Sequence, residues 1–156
     1  MRVALGVGVL ATATACGGTK VDAYEHSLAR GSEHVELRGY LLEGGRKIPM
    51  RGSGDFTNAP DRGRLTFVVS GTRFNEVFAN QTVYVQTPDG WVSQAVSKLK
   101  GPETPAQMLR ARLPAKVVDG LVRSLEIRGD GSFVTATFSR YGEHVSVTVP
   151  RVKGSK

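Results

Sequence analysis

Residues 35–56 read VELRGYLLEGGRKIPMRGSGDF, two alternating runs joined by a pair of glycines. Val35, Leu37, Gly39 and Leu41 alternate with Glu36, Arg38 and Tyr40, the period of two that gives a strand one apolar and one polar face. Gly44-Gly45 interrupts the alternation as a two-residue loop of the kind that closes a β-hairpin. From Arg46 to Phe56 the pattern returns, with Ile48, Met50 and Phe56 on a common face. Downstream, Asn58-Ala59-Pro60-Asp61-Arg62-Gly63 is a turn cluster, Leu65, Phe67 and Val69 alternate with Thr66 and Val68, and Ser70-Gly71-Thr72 turns the chain again. Arg73 to Ala79 and Gln81 to Thr87 predict two more strands, and Pro88-Asp89-Gly90 ends the meander just before Trp91. That makes about five consecutive strands at hairpin spacing, which specify an antiparallel curved sheet with one apolar face rather than a parallel α/β sheet.

The flanks supply helices and more strands. Upstream, Asp22 caps a short helix that carries Ala23, Tyr24, Leu28 and Ala29 and stops at Gly31. After the polar stretch 98–101, Thr104 is placed as N-cap with Pro105 at the first helical position, and the helix runs through Met108, Leu109 and Arg112 until Pro114. Lys116 to Val118, Leu121 to Arg128 and Phe133 to Phe138 then read as strands separated by Asp119-Gly120 and Gly129-Asp130-Gly131. His144 to Val149 predicts a last strand, because Val145, Val147 and Val149 alternate with Ser146 and Thr148. The fold class is mainly β (α+β), a single antiparallel curved sheet with one or two helices.

Composition sets the bounds. At 156 residues and 40% hydrophobic the chain is one globular domain with a core of its own. One cysteine excludes an internal disulfide framework and a Cys-only metal site. That cysteine sits at a telling place. Met1-Arg2 is followed by an uncharged run of Val, Leu, Ala, Gly and Thr from Val3 to Ala15, then Cys16 and Gly17-Gly18. The run has the form of a secretory signal and is too short to span a bilayer. Residues 1–15 therefore read as a signal peptide cleaved between Ala15 and Cys16, 16–21 as a lipidated tether, 22–150 as the folded domain and 151–156 as a C-terminal tail. Ala13-Thr14-Ala15-Cys16 resembles a bacterial lipobox, although Ala13 stands where such motifs usually have Leu, and Ala13-Thr14-Ala15 is equally an A-x-A site for ordinary secretion. Acylation at Cys16 would hold the protein on the membrane, since each buried methylene contributes about 0.8 kcal/mol.

The order of elements carries a wider resemblance. A lipobox, a short helix, GSGDFTNAPDRGRLTFVVSG, QTVYVQTPDGW, TPAQML, LPAKVVDGLVRSLEI and VTATFSRYGEHVSVTVP together resemble the LolA-like and LprG/LppX-like bacterial lipoprotein superfamily. The resemblance implies a half-open β-barrel whose helices plug the concave face, and an apolar cavity there that carries a lipid or lipidated molecule. It also implies a shortened member: Arg112 runs directly into Leu113-Pro114-Ala115, where longer members place several wall strands.

Alternation alone nominates Leu37, Leu41, Ile48, Phe56, Leu65, Phe67, Val83, Val85 and Trp91 as the cavity wall, against the simpler reading that each is packed core. No catalytic residues are assigned. His26, His34 and His144 are scattered, no H-E-x-x-H or G-x-S-x-G motif is present, and Gly52-Ser53-Gly54 reads as a strand bend. Asp119 and Glu126 could meet across a hairpin, as surface carboxylates on strands routinely do. No metal or cofactor is expected. The net charge of +7 concentrates around the second helix, where Lys98, Lys100, Arg110, Arg112, Lys116, Arg123 and Arg128 outnumber Glu103, Asp119 and Glu126. Such a face can orient a domain on an anionic bilayer or simply be solvated. Nucleic acid is not an expected partner, for no aromatic platform accompanies the charge.

The function expected is an exported, membrane-anchored, non-enzymatic lipoprotein on the outer face of the cytoplasmic membrane that binds or transfers a lipid or glycolipid. The alternatives are a secreted form, and a membrane-tethered interaction or envelope-scaffold domain with a filled core. Unpaired strand edges leave room for a homodimer.

Overall fold

In the computed structural model, which describes residues 19–99, 101 and 103–152, the Gly44-Gly45 pair joins β1 (Ser32–Glu43) to β2 (Arg46–Asn58). Both glycines have positive φ, +56° and +77°, as a tight hairpin matched to strand twist requires. The meander continues through β3 (Asp61–Val69), β4 (Thr72–Ala79), β5 (Thr82–Thr87) and β6 (Gly90–Ala95). The chain then crosses through a 3₁₀ turn (Val96–Lys98) and α2 (Pro105–Arg110), and returns as β7 (Ala115–Val118), β8 (Leu121–Gly129) and β9 (Ser132–Ser139). The nine strands form one antiparallel sheet ordered β6-β5-β4-β3-β2-β1-β9-β8-β7. Since β6 and β7 lie at opposite edges, α2 belongs to the crossover between them, and the sheet is curved without closing.

Glycine in β2 and β3 permits the bend. A Cβ at Gly63 would collide with the Phe56 ring, and one at Gly54 with the carbonyl oxygen of Arg64, so only bare backbone lets these strands approach on the inner face. Gly52-Ser53-Gly54, expected as a strand bulge or bend, lies inside β2 in continuous register with both neighbours.

Three segments differ from expectation. The first helix, α1, spans Thr19–Ala29, so Asp22 lies in its first turn, where a carboxylate favours the helix dipole, instead of capping it. Pro88-Asp89 ends no meander: Thr87 pairs with Gly90 across it, making it a hairpin loop that launches the unpredicted strand β6. His144–Val149 forms no strand. Its predecessor β9 is already paired with β1 on one side and β8 on the other, so the alternating segment cannot extend the sheet as a hairpin with β9. The turn that leads into it is tied to the start of β1, where Gly142 N donates to Ser32 O at 3.0 Å and the Ser32 hydroxyl donates to Glu143 O. Val145 and Val147 are half-buried there.

The helix α2 follows the sequence closely. Thr104 caps it by accepting from Gln107 N, the Gln107 side chain reaches back to the Thr104 N–H, and Pro105 takes the first position, a reciprocal capping box. The helix ends at Arg110, short of Pro114, and Arg112 turns the chain with φ +53°. Ala23 and Tyr24 of α1, with Met108, Leu109 and Leu113, pack on one face of the sheet and complete a single core.

Candidate functional site

Strand register decides which side chains share the inner face. Leu37 stands opposite Gly52, which stands opposite Phe67. Leu41 faces Ile48, and Gly54 lies between Val35 and Leu65. A row runs from Phe56 through Gly63 and Phe78 to Val83, and another from Leu65 through Glu76 to Val85. Directly opposed residues point to the same side, so eight of the nine sequence-nominated residues converge on the helix-covered face. Trp91 does not join them. It pairs with Gln86 and therefore points to the opposite face, because one residue of parity separates it from Val92. Met50, Val69, Phe78 and the alternating Val134, Ala136 and Phe138 of β9 also belong to the inner face; their periodicity was readable, but the neighbour of β9 was not.

Beneath the helices this face is filled. Phe56 is 2% exposed, Val83 3% and Leu109 0%, so neighbouring side chains occupy the space around them. Packing loosens away from the helices. Ile48, Phe74 and Val85 are only partly buried against the core, Phe74 stacks on Phe67 at 5.1 Å, and Val92, opposite Val85, is 46% exposed. An apolar rim thus continues the filled face toward solvent.

The other end of the face is polar. Glu33 Oε2 accepts from Asn58 Nδ2 at 2.8 Å, Arg110 donates to Asn58 O at 3.3 Å, and Thr104 Oγ1 donates to Asp61 Oδ2 at 2.7 Å. Among the described residues, Glu33 Oε1, Asn58 Oδ1 and Asp61 Oδ1 are buried without a protein partner. Burial pushes the Glu33 carboxyl up to about 7, partly opposed by the Asn58 hydrogen bond, and raises Asp61 as well. Asp61, Thr104, Gln107 and Arg110 border a hollow of about 220 Å³, roomy and polar enough for ordered water.

The remaining sequence candidates disperse. His26 contacts Gly120 O and Arg30, His34 pairs with Asp55 at 2.7 Å, and His144 is exposed on the segment after β9. Glu126 binds Arg128 at 2.8 Å, while Asp119 sits in the β7–β8 turn. Three of the basic residues near α2 have separate partners: Arg112 reaches Glu25 at 3.6 Å, Arg123 lies over Tyr141, and Arg128 covers Phe133. Lys100 lies outside the described residues, as do the signal segment, Ala15, Cys16 and residues 153–156. No group among the described residues has the makings of a metal site, and no described helix is long and apolar enough to cross a membrane.

No protein-family model matches the sequence, and no curated protein matches it. Among solved structures the chain is similar to LprF from Mycobacterium bovis, 14% identical with a TM-score of 0.53 over 85% of this chain and 95% of that one. It is also similar to the lipoprotein LppX of Mycobacterium tuberculosis, 15% identical with a TM-score of 0.53 over 85% of this chain and 100% of that one. At such identities the likeness is one of architecture, and the curved open sheet with helices on its inner face is an architecture this chain shares with LprF and LppX.

Proposed function

We propose that the protein is a non-enzymatic lipoprotein of the bacterial cell envelope that takes the acyl part of a lipid or glycolipid against the inner face of its sheet. The observation that carries this reading is the convergence of eight alternating apolar residues on one helix-covered face of a sheet that stays open, in an architecture shared with the lipoprotein LppX. Residues 1–15 act as the export signal and Cys16 as the acylated anchor. An acyl chain would enter at Ile48, Phe74 and Val85 and advance by displacing α2, a helix of only six residues. Removal of the chain from water drives the step, and no bond is made or broken. The sheet edges β6 and β7 are where a second copy would add.

A photo-crosslinking fatty acid added to the full chain in neutral detergent tests the reading. Adducts mapped to Ile48, Phe74 or Val85, competed by unlabelled lipid, support it. A second reading, a tethered interaction or scaffold domain, is favoured by the near-complete burial of Phe56, Val83 and Leu109. It gains if adducts are absent or spread over the outer face.

A further inference from the structure

The outer, helix-free face carries a row of arginines that the packing of the domain does not use. Arg38 stands directly opposite Arg51, Arg51 opposite Val68, and Val68 opposite Arg73, so three arginines line up across β1, β2 and β4. Adjacent strands are about 4.8 Å apart; Arg38 and Arg51 are separated by one such step, and Arg51 and Arg73 by two. Like charges directly opposite one another destabilise a sheet, and little here relieves them. Arg38, its side chain 82% exposed, has only the exposed Glu36 at 3.7 Å among the described residues. The side chains of Arg51 and Arg73 have no hydrogen-bond or ion-pair partner among the described residues. The row borders a depression of about 920 Å³ whose lining also includes Glu36, Ser53, Thr66 and Val68, with the Thr66 hydroxyl donating to Asn75 Oδ1 at 2.8 Å.

We propose that this depression binds a discrete ligand bearing two or more phosphate groups, held by Arg51 with Arg38 at one end and by Arg73 at the other. Guanidinium forks match phosphate oxygens with paired hydrogen bonds, the Ser53 hydroxyl adds a donor, and a depression bordered by these groups suits a molecule better than a flat bilayer. The inference is independent of what fills the inner face.

Inorganic triphosphate and orthophosphate, titrated into the full chain in neutral detergent by calorimetry, test it. Triphosphate is expected to bind more tightly than orthophosphate, with affinity falling as salt rises. Arg51→Gln and Arg73→Gln should each weaken it about tenfold, as loss of a charge-assisted hydrogen bond implies, while Arg128→Gln, a paired arginine elsewhere on the sheet, leaves it unchanged. Both test positions are exposed, and the two variants report separately should one fail to fold. Failure to bind triphosphate, or equal affinity in the Arg51→Gln/Arg73→Gln double variant, overturns the proposal. So does Arg51-dependent binding to phosphatidylcholine vesicles containing phosphatidylglycerol without binding to triphosphate, which would assign the row to a membrane surface.

Discussion

Glu33 and Asn58, at the open end of the β1–β2 hairpin, share one hydrogen bond of 2.8 Å, and the other carboxyl oxygen of Glu33 is buried without a partner among the described residues. A carboxyl so placed favours its proton, and burial holds it at about 7; Glu103 stands at about 7 as well, raised by burial and by the nearby Glu76.

Stability should therefore fall as pH rises. For a carboxyl whose folded pKa lies above its unfolded value of about 4.5, the folded state binds more protons between the two values, so unfolding free energy declines from pH 4.5 to 7 and then levels. Asp55 is also subject to burial, but hydrogen bonds from His34 and Arg64 hold it below the usual range, so its effect lies at lower pH and does not offset this window. Thermal melting across pH 4.5–8 checks the sign. Glu33→Gln should flatten the curve by on the order of 3 kcal/mol, since each pKa unit corresponds to about 1.4 kcal/mol; an unchanged slope would contradict the assignment.

Gly63 tests the bend. Gly63→Ala places a methyl group in the Phe56 ring and should cost about 1–3 kcal/mol by overpacking. Phe56→Leu combined with it should recover part of that loss, so urea melts of the two single variants and the double should be non-additive.

Leu109 anchors α2 with no exposed surface. Leu109→Ala should cost about 2–5 kcal/mol, the transfer and cavity cost of a buried leucine, read by urea denaturation.

Thr104 separates stability from function. Thr104→Ala removes the cap and the hydrogen bond to Asp61, costing about 1–2 kcal/mol. If α2 is the element an acyl chain displaces, the variant should take up a fluorescent fatty acid faster than wild type. Slower uptake in a folded variant would place the entry elsewhere.

Much of this architecture is written in local chemistry. Gly44-Gly45 and the Thr104-Pro105-Gln107 cap act within a few residues, so hairpin and helix start are readable from the chain. Trp91 and His144–Val149 depend on partners far away: the parity of β6 is set by a loop that itself looked like a terminus, and the final alternating segment cannot form a hairpin with β9 because that strand is flanked by β1 and β8. The arginine row is invisible for the same reason, since Arg38, Arg51 and Arg73 are separated in sequence and meet only through register.

The central claim is that the inner face accepts a lipid. Native mass spectrometry with organic extraction, applied to the full chain purified from bacterial membranes in neutral detergent, tests it most directly. A stoichiometric noncovalent lipid beyond any group bonded to Cys16 is expected, lost in a folded Ile48→Lys variant. A protein mass free of noncovalent lipid, with no uptake of added phospholipid or glycolipid, would contradict it.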